Sequence, residues 1–218
     1  FPYTTLFRSQ YQTTIAQCKE SYKITNRKNT SSKFSVISSN TSVVKASIKD
    51  GNTLVVEGVS AGRSGIKIVD ESTGDIRQIG FRVKNSDGSL PGMPDYLSIG
   101  QVSEDTDNDL NFWKDTSNND TNKRCDIRYI YVNGGPFGGW RSWTTEDGDR
   151  VKSYIRESLK LGMIPFFVYY NIPDSGESYE LDLKHINDKA YMEGYYNDLK
   201  FFLDICNEYA GDETVGMI

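Results

Sequence analysis

The sequence predicts a multidomain protein of β plus α/β class: a β-sandwich of short strands, then the opening part of a parallel β/α barrel of the TIM type. Three observations predict it. The first half is rich in Ser, Thr, Val and Lys and runs in short alternating segments, whereas many of the 14 Tyr, 10 Phe and 3 Trp fall after residue 112. A stretch with Gly and Pro and no periodicity separates the two parts. Beyond it, strand-like and helix-like apolar patterns alternate, as they do in parallel βαβ units.

In chain order, residues 1–9, FPYTTLFRS, come first. Read into codons they match one frame of a common sequencing-library adapter, so they are expected to be a translated artefact and are excluded from the fold. The natural N-terminus is then expected to lie elsewhere. From Tyr22 onward the runs FSVISS, SVVKASI, LVVEGV, SGIKIVD and QIGFRVK are broken at Asn40, Asp50-Gly51-Asn52, Gly62 and Ser72-Thr73-Gly74-Asp75. Short strands at this spacing imply a sandwich. Asp50-Gly51 predicts a hairpin, because Gly accepts the positive φ that a tight hairpin turn requires.

Residues 85–95, NSDGSLPGMPD, read as the linker between the domains. A short strand is expected over Leu97 to Val102. Asp105, Asp107 and Asp109 then alternate like the start of a calcium loop. Such a loop needs Gly at its sixth position and Glu at its twelfth, where this sequence has Leu110 and Thr116. A solvated acidic loop is the simpler reading.

Ile127 to Asn133 is β-branched and aromatic and ends at Gly134-Gly135-Pro136, which predicts a strand. Asp147 or Asp149 can cap a helix with Val151, Tyr154, Ile155 and Leu159 on one face, closed by Gly162. Met163 to Asn171 is nearly continuous in apolar residues, as in a strand covered on both faces. Asn187 or Asp188 starts a long helix whose predicted apolar face is Met192, Tyr195, Tyr196, Leu199, Phe202, Leu203 and Cys206. Glu213 to Ile218 begins a further strand. Residues 96–218 fall short of the roughly 250 of a complete barrel, so a truncated barrel is expected, with a doubly wound sheet as the alternative.

Composition narrows the function. The chain of 218 residues is 37% hydrophobic, and no run approaches the roughly 18 apolar residues of a membrane helix. A net charge of −5 without a Lys/Arg cluster lacks the electrostatic footprint of a nucleic-acid binder. The three cysteines, Cys18, Cys125 and Cys206, have neither metal-ligand spacing nor even parity. No metal or cofactor is predicted.

What remains is the chemistry of the loops after the strands. Asn133, Trp140 and Trp143 follow the first, and Tyr170, Asn171, Asp174, Glu177 and Tyr179 follow the second. Indole and phenol rings offer apolar faces to the C–H side of a pyranose, while Asn and carboxylates hydrogen-bond its hydroxyls. Asn133, Trp140, Trp143, Tyr170 and Asn171 are therefore the candidate saccharide-binding residues. His185, the single histidine, reads as a surface residue.

Two resemblances sharpen these expectations. SSNTSVVKASIKDGNTLVVEGVSAGRSGIKIVD resembles the group 2 bacterial Ig-like domains, most specifically at Gly58-Val59-Ser60-Ala61-Gly62, over residues 12–84. That resemblance implies an extracellular or cell-surface spacer or adhesive module. FFVYYNIPDSGESY resembles the second-strand region of glycoside hydrolase family 6, the inverting endoglucanases and cellobiohydrolases. Val168 to Asp174 fits a Val-Tyr-Asn/Asp-Ile/Leu-Pro motif in one choice of register, which places Tyr170 at the family's active-site tyrosine. The Arg-Asp-Cys pattern that follows in the family is absent, and its Asp aligns with Gly176, so Asp174 or Glu177 becomes the candidate catalytic carboxylate.

The resemblance also implies a general acid in a Glu-Pro-Asp motif after the third strand, where this sequence ends at Val215-Gly216-Met217-Ile218. Inverting hydrolysis needs two carboxyls about 6.5–9.5 Å apart, so residues 1–218 are expected to be inactive alone. The combined expectation is part of a secreted bacterial carbohydrate-active protein, extracellular or at the cell surface, that hydrolyses β-linked glucan in its full-length form. Its partner would be a polysaccharide or oligosaccharide, with no nucleic acid. The alternative is a surface adhesin or glycan-binding protein with an Ig-like spacer; a ligand-free structural repeat protein ranks third.

Overall fold

A computed structural model describes residues 11–26, 31–114, 125–174 and 176–218. The adapter-like stretch 1–9 and Thr116 lie outside the described residues. The chain divides into two compact units, one of residues 1–99, 106–126 and 157–163, the other of residues 100–105, 127–156 and 164–218. The class is β plus α/β.

The first unit carries β1 (Tyr11–Ile15), β2 (Lys19–Lys23), β3 (Phe34–Ser38), β4 (Val44–Lys49), β5 (Thr53–Gly58), β6 (Gly62–Asp70) and β7 (Ile76–Lys84). They form one sheet of order β1-β7-β6-β3 and a second of order β2-β5-β4. All pairings are antiparallel except β1 with β7. Both sheets feed one core. Val44, Leu54 and Val56 of the second sheet and Ile66, Phe81 and Val83 of the first belong to a single cluster, each at 0% exposure. The alternation in LVVEG puts every second residue of β5 inside.

Asp50 and Gly51 have φ of +52° and +77°, so the hairpin between β4 and β5 turns where the sequence puts it. β2, KESYK, carries no apolar alternation that would mark it, because its residues merely alternate between exposed and half-buried at the sheet edge. Backbone pairing to β5, with an ion pair from Lys19 to Glu57 at 3.0 Å, holds it there. Residues 85–95 form no helix or strand; Arg63 of β6 donates to the carbonyls of Pro91 and Gly92 at 2.6 and 2.9 Å.

The acidic run after β8 (Gly100–Val102) is not a solvated loop. Asp107 and Asp109 stand in the first turn of α1 (Asp107–Lys114), where carboxylates favour the positive end of the helix dipole. Thr106 Oγ accepts the Asp109 amide at 3.2 Å. Asp105 accepts from the buried Arg128 at 2.8 Å. On its inner side α1 sends Leu110 and Trp113 into a cluster with Leu161 and Met163.

The second unit is built on a sheet of order β11-β10-β9-β8, parallel throughout, with β9 (Ile127–Asn133), β10 (Ile164–Tyr170) and β11 (Gly216–Met217). The intervening helices are α2 (Asp149–Leu161), α3 (Tyr179–Asn187) and α4 (Lys189–Ala210). Paired residues project to the same side of a sheet. Ile130 and Val132 with Phe167 and Tyr169 form the side that faces the helices. There Phe167 meets Tyr154 of α2 at 5.5 Å and Phe202 of α4 at 5.1 Å between ring centroids. Arg128 lies on the same side, its guanidinium 4.4 Å from the Tyr154 ring centre.

α2 buries the predicted Val151, Tyr154, Ile155 and Leu159. α4 begins after Asp188, whose side chain accepts the amides of Ala190 and Tyr191. Its inner face is rotated from the predicted one. Tyr191, Asp198, Phe202, Ile205, Cys206 and Ala210 are buried, while Tyr196 and Leu203 are 61% and 48% exposed. The predicted stripe left out the charged residue that anchors the true one. α3 was not anticipated: it buries none of its residues, so no apolar stripe marks it.

Candidate functional site

β9 and β10 end together. Asn133 and Tyr170 are register partners at the last position of each strand and project to the side of the sheet away from α2 and α4. The two following loops therefore start next to each other, which is where parallel α/β sheets carry their function.

The loop after β9 turns through Gly134 and Gly135, at φ of +92° and +84°. A Cβ on Gly135 would stand 2.6 Å from Cβ of Asp174, so the two loops pack backbone against side chain at that point. Phe137 follows, 71% exposed, with its ring edge-on to Tyr191 at 5.7 Å. Its ring occupies the space a Cβ on Gly194 would need, which explains a glycine inside α4, where it costs roughly 1 kcal/mol relative to Ala. Phe137 was absent from the sequence-derived candidates; the helix-interior glycine was the signal for it.

Trp140 departs from its expected role. It is 0% exposed, packed against Phe201 and Phe202 at 6.0 and 6.4 Å, and its indole N–H donates to Asp198 Oδ2 at 2.9 Å. With its faces in the core it offers none to a ligand. Asn171 departs likewise: it is 1% exposed and its Nδ2 donates to the same oxygen at 2.7 Å. Tyr169 supplies a third donor at 2.7 Å. Asp198 of α4 thus gathers one residue from the β9 loop and two from the end of β10, with the Arg141 guanidinium 3.9 Å from its other oxygen. Burial, then this hydrogen bond, holds the Tyr169 hydroxyl well above the ordinary phenol range. Sequence reasoning missed Asp198, although a carboxylate four residues before Phe202 and seven after Tyr191 interrupts an apolar stripe.

The remaining candidates reach the surface. Trp143 is 49% exposed, with Arg150 stacked 5.0 Å from its ring centre. Tyr170 is 38% exposed; partial burial, then Glu177 and Asp182, raise its hydroxyl pKa. Asn133 is half-buried, whereas Asp174 and Glu177 are exposed. Tyr179, at 76% exposure, adds a further ring at the start of α3. Arg141 is engaged by Asp147 through Nε at 2.8 Å and through Nη2, which lowers the Asp147 pKa.

His185 is not a plain surface residue. Its side chain is 12% exposed and its ring stacks on Tyr191 at 3.9 Å and 3°. Nδ1 lies 3.0 Å from the carbonyl oxygen of Ile172, and Nε2 3.8 Å from Asp174 Oδ2. The Tyr191 hydroxyl donates to the same carbonyl at 2.7 Å and is pushed up to about 12 by burial, then by Asp174 and Asp182. Among the described residues no group of three or more His, Cys, Asp or Glu is placed to hold a metal ion. No helix among them is long and apolar enough to cross a membrane.

No protein-family model and no curated protein matches the chain. Among solved structures it is similar to domains 4 and 5 of the S-layer protein SbsC, at 16% identity over 34% of this chain and 42% of that one, with a TM-score of 0.30. A longer SbsC structure, residues 31–844, aligns at 18% identity over 42% of this chain and 13% of that one, with a TM-score of 0.31. A family 39 glycoside hydrolase from Bacteroides cellulosilyticus aligns at 12% identity over 96% of this chain and 42% of that one, with a TM-score of 0.33. The chain thus spans less than two thirds of each of these structures. Likeness at this level says nothing about chemistry, which rests on the site itself.

Proposed function

We propose that this chain is part of an extracellular bacterial carbohydrate-active protein, in which an Ig-like β-sandwich over residues 12–84 and a linker over 85–95 precede a partial β/α barrel over 96–218. The barrel's rim binds a saccharide, and the full-length protein hydrolyses a β-linked glucan. The observation that carries this reading is the pairing of Asn133 with Tyr170. It sets two loops side by side at the strand ends, with Phe137, Trp143, Tyr170 and Tyr179 exposed and Asp174 and Glu177 among them. Partly exposed rings next to carboxylates suit the alternating apolar and hydroxyl faces of a pyranose.

The resemblance of Val168 to Asp174 to glycoside hydrolase family 6 supports β-glucan as the substrate class and hydrolysis as the reaction, with Asp174 or Glu177 as the carboxylate acting on water. Both stand on one loop, and an inverting mechanism needs a second carboxyl across the substrate. A glycan-binding protein without turnover is the second reading, favoured by Gly176 standing where the family pattern has its Asp.

Retention on insoluble cellulose tests the rim. Trp143→Ala and Tyr170→Ala should each reduce binding affinity roughly two- to tenfold, since a stacked ring contributes roughly 0.5–1.5 kcal/mol beyond its area. Retention equal to that of the parent chain in both variants removes the saccharide reading.

A further inference from the structure

We propose that His185 is a positioning residue for Asp174: a proton-dependent clasp that fixes the carboxylate at the rim from behind. The inference rests on the saccharide reading for its functional consequence and on geometry alone for the clasp.

The backbone settles the tautomer. The Ile172 carbonyl can only accept, so Nδ1 at 3.0 Å from it carries hydrogen. Nε2, on the opposite side of the ring, then faces Asp174 Oδ2 at 3.8 Å. The imidazole is held on its flat side as well, lying 3.9 Å above Tyr191, whose hydroxyl donates to the same Ile172 carbonyl. These two contacts turn the Nε2 edge toward Asp174. From the other side Gly135 fits so closely that a Cβ there would meet Asp174 Cβ at 2.6 Å. Asp174 keeps 45% of its side chain open between these supports. A carboxylate steadied on two sides and still partly exposed to solvent is placed to act on something bound above it.

The chemistry of the clasp follows. When Nε2 takes a proton from solvent, the imidazolium N–H donates to Oδ2, and the loop after β10 is tied to α3 by a charge-assisted hydrogen bond. When Nε2 is bare, its lone pair faces the carboxylate and the tie is lost. Asp174 from the loop and Tyr191 from α4 face the imidazole, and Asp182, one turn earlier on α3, acts on the Tyr191 hydroxyl. Tyr191 stays neutral throughout, its hydroxyl being pushed up to about 12 by burial.

The test uses the whole chain and its single histidine. Long-range proton–nitrogen correlation at about pH 8 should show the neutral ring protonated at Nδ1, the minor tautomer of free histidine, and Asp174→Asn should move the Nε2 resonance at about pH 5. A neutral ring protonated at Nε2, or an Nε2 resonance blind to Asp174→Asn, overturns the clasp. Binding of cellohexaose, measured by calorimetry at both pH values, reports its consequence. His185→Phe keeps a flat ring on Tyr191 and has no nitrogen, so its melting temperature should stay near the parent's. It and Asp174→Asn should each weaken binding at about pH 5 by roughly tenfold, the size of one hydrogen bond to a charged group, and the double variant should lose no more than either alone. Additive losses, or a His185→Phe protein that binds like the parent, overturn the assignment. A parent chain that binds no cellohexaose overturns the saccharide reading instead, and the nitrogen spectra then decide the clasp by themselves.

Discussion

Asp198 should be the costliest side chain to lose in the second unit. It is 2% exposed, and Oδ2 alone receives the Trp140 indole at 2.9 Å, the Tyr169 hydroxyl at 2.7 Å and the Asn171 amide at 2.7 Å. Asp198→Ala strands three donors, two of them buried and the Tyr169 hydroxyl half-buried. Each hydrogen bond to a charged group contributes roughly 1.5–3 kcal/mol, but three donors on one oxygen are not independent, so breaking the network should cost about 3–5 kcal/mol. With a urea dependence of about 2 kcal/mol per molar, the unfolding midpoint drops by roughly 1.5–2.5 M.

Asp198→Asn keeps volume and one acceptor but loses the charge, and its amide hydrogens then face the Arg141 guanidinium, 3.9 Å from the oxygen they replace. About 1–2 kcal/mol is expected. The assay is equilibrium urea unfolding by fluorescence in a Trp113→Phe, Trp143→Phe background, so that the fully buried Trp140 reports alone. A midpoint for Asp198→Ala within about 0.5 M of the parent would refute the idea that this carboxylate organises the loops.

Two further outcomes follow from burial and charge. Asp70 accepts from Asn26 and from the Ser72 amide, and hydrogen bonds, foremost from Ser32, lower its pKa to about 2. Its folded value lies below the unfolded value of about 3.9, so the stability it contributes is complete above that pH and is lost as pH falls toward 2. Thermal melts across this window should fall more steeply for the parent than for Asp70→Asn, and parallel curves would contradict the assignment. Thiol labelling should be ordered: exposed Cys18 reacts first, whereas Cys206, whose thiol burial pushes up to about 12, reacts only on unfolding. Equal rates for the two in the native protein would show that the α4 face is not packed.

Much of the fold was legible because it rests on local patterns. Alternation in LVVEG and the Asp50-Gly51 turn mark strands and a hairpin whatever surrounds them. Helix α2 was readable from Val151, Tyr154, Ile155 and Leu159, and β10 from an unbroken apolar run. The site was less legible because burial there is decided by tertiary partners. Trp140 looks like a platform until Asp198, 58 residues later, takes its indole N–H into the core. An Asn after a strand looks like a ligand group until the same carboxylate claims it. α3 escaped notice because Leu181, Leu183 and Ile186 remain 39%, 57% and 54% exposed and form no buried stripe. His185 could be placed only once the chain had returned to stack it on Tyr191.

The tandem tyrosines at the end of β10 show how the register makes the rim. Successive residues of a strand point to opposite sides, so Tyr169 passes beneath α4, touching Phe202 and Tyr195 at 5.4 and 5.6 Å and donating to Asp198. Tyr170 points the other way and ends beside Asn133. That alternation is enforced further down the strands, where Ile130 and Val132 pair with Phe167 and Tyr169 on the helix side at 1% exposure or less for Ile130, Val132 and Phe167. A slip of one residue would drive Tyr131, now 45% exposed, under the helices and Tyr170 onto Asp198. The apolar core therefore selects which tyrosine is structural and which is left exposed, and Asp198 locks the choice from the buried side. What the strand ends expose depends on residues that never reach the surface.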